Sequence, residues 1–207
     1  CAWRGQHLSA GEIAQLLGIR LDNISIGPAM DAFGTMLGPL FDGLPPNTAE
    51  ENIQARARGI TLMALSNKFG HMVLSTGNKS EMSVGYATLY GDMCGGYAIL
   101  KDVYKMEVYA LSRWRNQTKP DGMMGPAGRV IPENVLIRAP TAELKPNQID
   151  QDSLPPYAQL DDILSCLVEG EMPVDEVVKR GHPREVVARV WTMLMRAEYK
   201  RRQAPPG

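Results

Sequence analysis

The sequence has few cysteines and histidines, and their spacing excludes several kinds of site. The three cysteines form no CxxC pair and stand far apart, at Cys1, Cys94 and Cys166. This usage suits reduced thiols in a cytoplasmic protein better than a disulfide framework or a zinc site. The three histidines are equally scattered, which argues against a metal centre built on imidazoles.

Long apolar runs and an excess of one charge are also absent. No run approaches the roughly 20 apolar residues that cross a bilayer, and the opening residues lack the hydrophobic segment of a signal peptide. The formal net charge of -1 lacks the basic excess typical of nucleic-acid or anionic-membrane binding. With 44% hydrophobic and 22% charged residues, we expect a globular protein without a membrane or nucleic-acid partner.

Both ends of the sequence look cut. The chain opens on Cys1 rather than methionine, and it stops in KRRQAPPG, where a proline-rich segment is beginning. We therefore expect a piece of a longer polypeptide, truncated at both ends.

Helical and strand-like patterns alternate in the first half of the chain. Helices are predicted at 10–17 and 31–40, with a short strand in LDNISIGP between them. A long helix follows, with a predicted capping box from Thr48 to Glu51 and a core stripe that includes Ile60. The apolar run HMVLST then predicts another strand. This alternation predicts a parallel α/β sheet with helices on its faces.

The second half is helical around a long irregular segment. Beyond Lys101 a helix is predicted to about residue 115. Residues 116–157 are proline-rich and polar, as in lids and linkers, and three helices are predicted at 158–168, 174–180 and 184–201. We therefore divide the chain into an α/β core (1–115), a lid segment (116–157) and C-terminal helices of the same domain (158–207).

The glycine-rich stretch LSTGNKSEMSVGYATLYGDMCGG follows the strand HMVLST. Ligands of parallel sheets bind at the carboxyl ends of strands, where Thr76 falls. A hydroxyl, Asn78 and the carboxylate of Glu81 at such a junction suit a phosphate or ribose, and Glu81 suits Mg²⁺ as well. A capping box between Asn78 and Glu81 explains the same spacing, and the pattern alone supports both interpretations equally.

Two further pairs have helical spacing. Lys101 and Lys105 lie one turn apart, which suits either a polyphosphate or a solvated face. Asn52 and Arg56 stand four residues apart and share a face of the long helix, which suits either a ligand contact or a surface hydrogen bond.

Longer segments carry a family resemblance. One long segment closely resembles the synthetase domain of NAD⁺ synthetases of the long, glutamine-dependent kind. Its sequence is NTAEENIQARARGITLMALSNKFGHMVLSTGNKSEMSVGYATLYGDMCGG. Three further segments are similar to segments of the same family and follow in the same order along the chain: GRVIPENV, PTAELKPNQIDQDSLPPY and EYKRRQAPP. The resemblance covers nearly the whole chain.

The resemblance implies a fold, a reaction and partners. The fold is that of adenine-nucleotide alpha-hydrolase-like ATP pyrophosphatases, a Rossmann-like parallel sheet with flanking helices. The reaction is that of a ligase: ATP activates the nicotinic carboxylate of deamido-NAD⁺ as an adenylate, and ammonia displaces AMP. An N-terminal nitrilase-like glutaminase domain supplies the ammonia from glutamine. The family also tends to assemble, so the resemblance implies a homo-oligomer.

Site residues are implied in the same way, position by position. The residues implied at the ATP site are Thr76, Lys105 and Thr141. The residues implied to contact deamido-NAD⁺ are Asn52, Arg56, Glu81, Tyr199 and Lys200, and Glu81 is also the implied Mg²⁺ ligand. Because adenylation builds charge on phosphate oxygens, a lysine and Mg²⁺ aimed there would stabilise the transition state.

The sequence departs from the family in one respect. It contains no Ser-Gly-Gly-x-Asp-Ser phosphate loop and no nitrilase-like domain, so we expect these 207 residues alone to be inactive. A non-catalytic nucleotide-binding or assembly module derived from the family is the alternative. Another ATP pyrophosphatase amidotransferase, such as a GMP or asparagine synthetase, is a third interpretation that the quoted segments disfavour.

Overall fold

The computed structural model describes residues 2–144 and 148–207, with residues 2–8 described by their backbone alone. Helices dominate the described residues. The helices are α1 (Ala2–Leu17), α2 (Gly27–Phe41), α3 (Thr48–Phe69), α4 (Lys79–Val84), α5 (Lys105–Gln117), α6 (Glu133–Ile137), α7 (Tyr157–Val168), α8 (Val174–Lys179), α9 (Arg184–Arg196) and α10 (Glu198–Arg201). The strands are β1 (Leu74–Ser75) and β2 (Tyr97–Ala98), and Asp150–Asp152 forms a 3₁₀ turn.

The chain forms two compact units, each built from two separate stretches. The first unit combines Cys1–Ile24 with Met106–Ser153, and the second combines Ser25–Lys105 with Leu154–Gly207. The division at residues 115 and 157 that the sequence suggests stays a prediction.

In the first unit, one asparagine organises the turn that precedes α6. Asn116 Oδ1 accepts hydrogen bonds from the backbone N–H groups of Val130 and Ile131, both at 2.8 Å. Its Nδ2 donates to Ile131 O at 2.7 Å. A single side chain thereby satisfies three backbone groups of an irregular segment, which otherwise lacks partners for them.

The core of the second unit lies between α7, α8 and α9. Leu160, Ile163 and Leu164 of α7 are fully buried, and so are Val187 and Val190 of α9. These positions recur every three or four residues, the spacing of one face of a helix. The core is therefore formed by the C-terminal helices that the sequence predicts at 158–168 and 184–201.

The short helix α4 packs against both α7 and α9. Its residues Met82, Ser83 and Val84 are buried. It ends at Gly85, whose left-handed φ of 72° suits glycine. A Cβ at Gly85 would lie 2.8 Å from the Cβ of Ala197, so the glycine also permits close approach to the residue that separates α9 from α10.

The start of α3 differs from the prediction by one residue. Asn47 is the N-cap, and its Oδ1 accepts from Ala49 N at 2.8 Å. Glu50 completes the box by accepting from Asn47 N at 2.7 Å. The predicted Thr48–Glu51 box is wrong because Asn47 and Glu50 have the same spacing, and asparagine is at least as good an N-cap as threonine.

The predicted core stripe of α3 is also wrong at Ile60, which is 68% exposed. The buried residues of this helix are instead the small ones, Ala55, Ala57 and Gly59. Their side chains leave room for the backbone of the loop around Gly91 to approach the helix.

The two strands pair in parallel, with Leu74 opposite Tyr97 and Ser75 opposite Ala98. This confirms the predicted strand after residue 70 and the parallel α/β order. The strand predicted in LDNISIGP is wrong: residues 19–26 have no regular structure, and Gly27 begins α2. Pro28 occupies the first turn, where its fixed φ and missing N–H are compatible with a helix.

None of the described helices is both long enough and apolar enough to cross a membrane.

The packing of α7 predicts a large effect of truncating its buried face. Ile163→Ala is expected to lower the free energy of unfolding by about 2–5 kcal/mol, because a fully buried side chain leaves a cavity. Leu62→Ala, at a half-exposed position of α3, is the control and is expected to change it by less than about 1 kcal/mol. Urea unfolding followed by circular dichroism measures both. Equal losses would contradict the described core.

Candidate functional site

The carboxyl end of β1 leads directly into the cap of α4. Asn78 Oδ1 accepts from Glu81 N at 3.0 Å, and Glu81 Oε2 accepts from Asn78 N at 3.3 Å. The capping interpretation of this pair is therefore confirmed. It leaves the second oxygen of Glu81 for another partner.

That partner is Lys105, the first residue of α5. Its Nζ donates to Glu81 Oε1 at 2.9 Å, and both side chains keep less than a fifth of their surface exposed, 18% and 19%. The ammonium also lies 5.3 Å from the centre of the Tyr157 ring, within the range of a cation–π contact. Two residues implied to serve different ligands thus contact each other.

A buried hydroxyl lies behind this pair. Ser80 is fully buried, and its Oγ donates to Asp161 Oδ1 at 2.5 Å. The same oxygen accepts from Lys105 N at 2.9 Å. Nothing in the sequence indicated this arrangement, because Ser80 and Asp161 are 81 positions apart.

Residues 85–92, which follow α4, are held by side chains from two distant parts of the chain. Lys200 Nζ donates to Gly85 O at 2.7 Å and to Ala87 O at 2.5 Å. Burial lowers the pKa of Lys200, while the charge of Asp92 acts in the opposite direction. Lys200 thus contacts the glycine-rich stretch, and its assignment to deamido-NAD⁺ stays a prediction.

The helix α3 contacts the same loop. Asn52 Oδ1 accepts from the Thr88 hydroxyl at 3.2 Å, and Arg56 Nε donates to Leu89 O at 3.2 Å. The prediction that Asn52 and Arg56 share a face is therefore confirmed. Their assignment to deamido-NAD⁺ stays a prediction.

Glycine permits this approach of loop and helix. A Cβ at Gly59 would lie 2.8 Å from Tyr90 O and 3.0 Å from Gly91 O, and a Cβ at Gly91 would lie 3.0 Å from that of Ala55. Because real Cβ atoms do not come this close to backbone oxygens, larger residues would separate the loop from α3.

Asp92 is a site residue that the sequence indicated only as a turn. Its Oδ1 accepts from Thr88 N at 2.6 Å, and its backbone oxygen accepts from the Ser75 hydroxyl at 3.2 Å. The side chain keeps an exposed edge, but the protein packed around the rest of it raises the pKa of Asp92 by desolvation. The hydrogen bond from Thr88 opposes that shift, and the negative charge of Glu81 adds to it.

Several residues predicted to lie at the site take no part in these contacts. Thr76 follows β1 directly and is exposed, as is Tyr199. Lys101 precedes α5 and donates to Pro205 O at 2.7 Å, so the predicted lysine pair on one helix is wrong. Thr141 lies in the first unit, where its Oγ1 accepts from Glu143 N at 3.1 Å.

A mainly apolar cleft of about 640 Å³ opens beside the loop. Its lining includes Ile53 and Arg56 of α3, Leu89 and Tyr90 of the loop, and Pro205 near the C-terminus. This volume lies in the range of small-molecule sites. The cleft borders the face of α3 that carries Arg56.

Metal-ligating side chains do not cluster in the described part of the chain, where no three His, Cys, Asp or Glu residues are arranged to hold an ion. The assignment of Glu81 to Mg²⁺ stays a prediction.

Comparison with known proteins identifies relatives over almost the whole chain. The family model described as NAD synthase matches residues 4–204. Glutamine-dependent NAD(+) synthetases from Rhodobacter capsulatus and Xanthomonas campestris pv. campestris (strain 8004) are 50% and 52% identical over 198 residues. These matches cover 96% of this chain but only 36% and 35% of the relatives. The chain thus spans about a third of the length of the curated relatives it matches.

Solved structures agree with the fold. The glutamine-dependent NAD+ synthetase from Acinetobacter baumannii, in complex with adenosine diphosphate, is 44% identical, with a TM-score of 0.58 over 96% of this chain and 34% of that one. The NMN synthetase from Francisella tularensis is 24% identical, with a TM-score of 0.74 over 96% of this chain and 71% of that one, and it supports the fold alone. The expected adenine-nucleotide alpha-hydrolase-like α/β fold, in incomplete form, is thereby confirmed.

The raised pKa of Asp92 predicts a pH-dependent stability. Between the ordinary value of 3.8 and the folded pKa, the folded protein binds more protons at Asp92 than the unfolded chain does. The contribution of Asp92 to the free energy of unfolding therefore falls as pH rises through this interval. Asp92→Asn keeps an acceptor for Thr88 but does not titrate.

We expect the free energy of unfolding of Asp92→Asn to rise relative to that of the unmodified chain as pH increases from about 4. The gain should end once Asp92 is fully ionised in the folded state. Urea unfolding of both proteins across a pH series measures the difference. A difference that stays constant throughout would show that folding leaves the pKa of Asp92 unchanged.

Proposed function

Because this chain belongs to the NAD synthase family, we propose that it forms part of the synthetase domain of a glutamine-dependent NAD⁺ synthetase, a carbon–nitrogen ligase that amidates deamido-NAD⁺. The observation that carries the proposal is the contact between Glu81 and Lys105 at the carboxyl end of β1. Parallel sheets bind ligands at that end of their strands, and the opposite charges there match Mg²⁺ and phosphate.

The proposed reaction has two steps. A carboxylate oxygen of deamido-NAD⁺ attacks the α-phosphorus of ATP, and the α–β phosphoanhydride bond breaks to release pyrophosphate. Ammonia then attacks the acyl carbon of the adenylate, loses a proton and displaces AMP. Neither step requires a covalent bond to the protein, so positioning and electrostatic stabilisation are what the site must supply.

Lys105 and Glu81 are assigned to the nucleotide. The ammonium of Lys105 would exchange its contact with Glu81 for phosphate oxygens, where it stabilises the charge that develops during adenylation. The released carboxylate of Glu81 would then hold the Mg²⁺ that accompanies ATP. Thr76, exposed after β1, and Thr141 of the first unit are the further ATP contacts in this proposal.

The loop of residues 85–92 is assigned to deamido-NAD⁺. Asn52, Arg56 and Lys200 all contact this loop, and their polar atoms offer both donors and acceptors for a dinucleotide. Tyr199 presents an exposed ring next to Lys200. The apolar cleft beside Arg56 is suited to a ring system of the substrate.

Other parts of the reaction are assigned outside these residues. The sequence contains no Ser-Gly-Gly-x-Asp-Ser loop, so the proposal places the phosphate cradle and the glutaminase domain in further polypeptide. Residues 116–157 are proposed as a lid that keeps water from the adenylate. A cytoplasmic location is proposed with the same function.

A chimera tests the activity. In this chimera, the 207 residues of the chain would replace the matching third of the Rhodobacter capsulatus relative. NAD⁺ formation from glutamine, ATP and deamido-NAD⁺ would be followed in a coupled assay. Lys105→Met and Glu81→Gln are expected to lower kcat/KM by about 100-fold, because each removes a charge directed at the transition state. Lys179→Met, at an exposed position of α8, is the matched control and should leave the rate unchanged.

The isolated 207 residues are expected to make no NAD⁺ at a comparable rate in the same assay. Activity of the chimera that survives both site substitutions would refute the assignment of Glu81 and Lys105. Full turnover by the isolated chain would refute the placement of the phosphate cradle elsewhere.

Self-association is the last part of the proposal. Phe69 of α3 is 62% exposed and lines a mainly apolar surface groove of this helix together with Ala64 and Leu65, and apolar patches of this kind favour protein contacts. Phe69→Lys is expected to shift the chimera toward monomer in sedimentation velocity, whereas Lys179→Met should not. A monomeric unmodified chimera would contradict the proposal of a homo-oligomer.

A further inference from the structure

We propose that Ser80 and Asp161 are positioning residues that set Lys105 against Glu81; this inference rests on the proposed function of that pair. Neither residue carries an expected role in binding. Ser80 is fully buried and Asp161 is 8% exposed, so both act from behind the site rather than on a ligand.

The Ser80 hydroxyl joins three helices through one oxygen atom. It donates to Asp161 Oδ1 of α7 at 2.5 Å and accepts from the backbone N–H of Lys105, the first residue of α5, at 2.9 Å. Ser80 itself lies in the first turn of α4. A serine hydroxyl has one proton to donate and lone pairs to accept with, so both functions of the group are used.

Asp161 sets the direction of this hydrogen bonding. A carboxylate has only acceptor atoms, so the Ser80 proton must point toward it, and the lone pairs of Ser80 then face the Lys105 N–H. If the proton pointed toward Lys105 instead, two donors would oppose each other. The carboxylate thereby determines that the backbone of Lys105 lies against α4.

The consequence for the site follows from chain connectivity. Glu81 is the residue after Ser80, and Lys105 is the residue whose backbone Ser80 holds. A second contact to the backbone, from Lys79 N to Val103 O at 2.9 Å, also holds these two segments together. The two hydrogen bonds set the backbone positions from which the side chains of Glu81 and Lys105 meet.

Kinetics of the chimera test the positioning role. Ser80→Ala and Asp161→Ala are expected to lower kcat by about 100-fold, the effect of misplacing a catalytic group by about 1 Å, with little change in KM for deamido-NAD⁺. Asp161→Asn keeps an acceptor oxygen and should restore kcat to within about threefold. Asp162→Ala removes the neighbouring, exposed carboxylate, which instead contacts His182 at 2.6 Å, and should leave kcat unchanged.

A spectroscopic readout separates this inference from the proposed function. In the 207-residue chain, the ammonium of Lys105 lies over the Tyr157 ring, so its ε-proton signals should be shifted upfield in the NMR spectrum. Ser80→Ala and Asp161→Ala should move these signals back toward the usual lysine position, and Asp161→Asn and Asp162→Ala should not. If Ser80→Ala does not fold, the contrast between Asp161→Ala and Asp161→Asn carries the test.

An inactive unmodified chimera together with the expected NMR shifts would overturn the proposed function and leave the positioning of Lys105 supported. Unchanged Lys105 signals in folded Ser80→Ala or Asp161→Ala would overturn the positioning role, whatever the activity. A loss of kcat in Asp162→Ala equal to that in Asp161→Ala would also overturn it, because the effect would then not depend on the hydrogen bond to Ser80.

Discussion

The packing of α4 between α7 and α9 is the constraint on which the site depends. A helix of six residues is too short to be stable by itself, so its position is set by what it packs against. Val84 belongs to the apolar core formed with α7 and α9, and Ser80 supplies a buried polar link to α7. Because Glu81 belongs to the same turn, the C-terminal helices determine where its backbone lies, although α7 and α9 begin 76 and 103 residues later in the sequence.

The contact between Glu81 and Lys105 pairs two charged side chains that are largely buried. An unpaired carboxylate or ammonium at this degree of burial would be costly, and pairing offsets that cost. In the proposed function, MgATP would offer each partner a replacement of the same sign, phosphate in place of the glutamate and Mg²⁺ in place of the lysine. Binding would then exchange one set of ionic contacts for another rather than expose a bare charge.

Local chemistry was predictable from the sequence, and distant contacts were not. The Asn78–Glu81 cap and the shared face of Asn52 and Arg56 follow from spacings of three and four residues, and the strand before Thr76 follows from an apolar run. The strand expected in LDNISIGP failed because a strand needs a partner, and the described residues provide none there. The Ser80–Asp161 bond has no local signature, since serine and aspartate acquire this role only when α7 folds against α4.

Glycines in and near the glycine-rich stretch have a structural role that composition alone does not reveal. Gly59 and Gly91 permit contact between α3 and the loop of residues 85–92, and this contact brings the loop within reach of Asn52 and Arg56. Lys200 holds the other end of the loop through Gly85 O and Ala87 O. Three of the side chains proposed to bind deamido-NAD⁺, those of Asn52, Arg56 and Lys200, are therefore the ones that hold the loop. If the proposed function is right, substrate binding would compete with these loop contacts, and the loop and the dinucleotide would be coupled through shared hydrogen-bond partners.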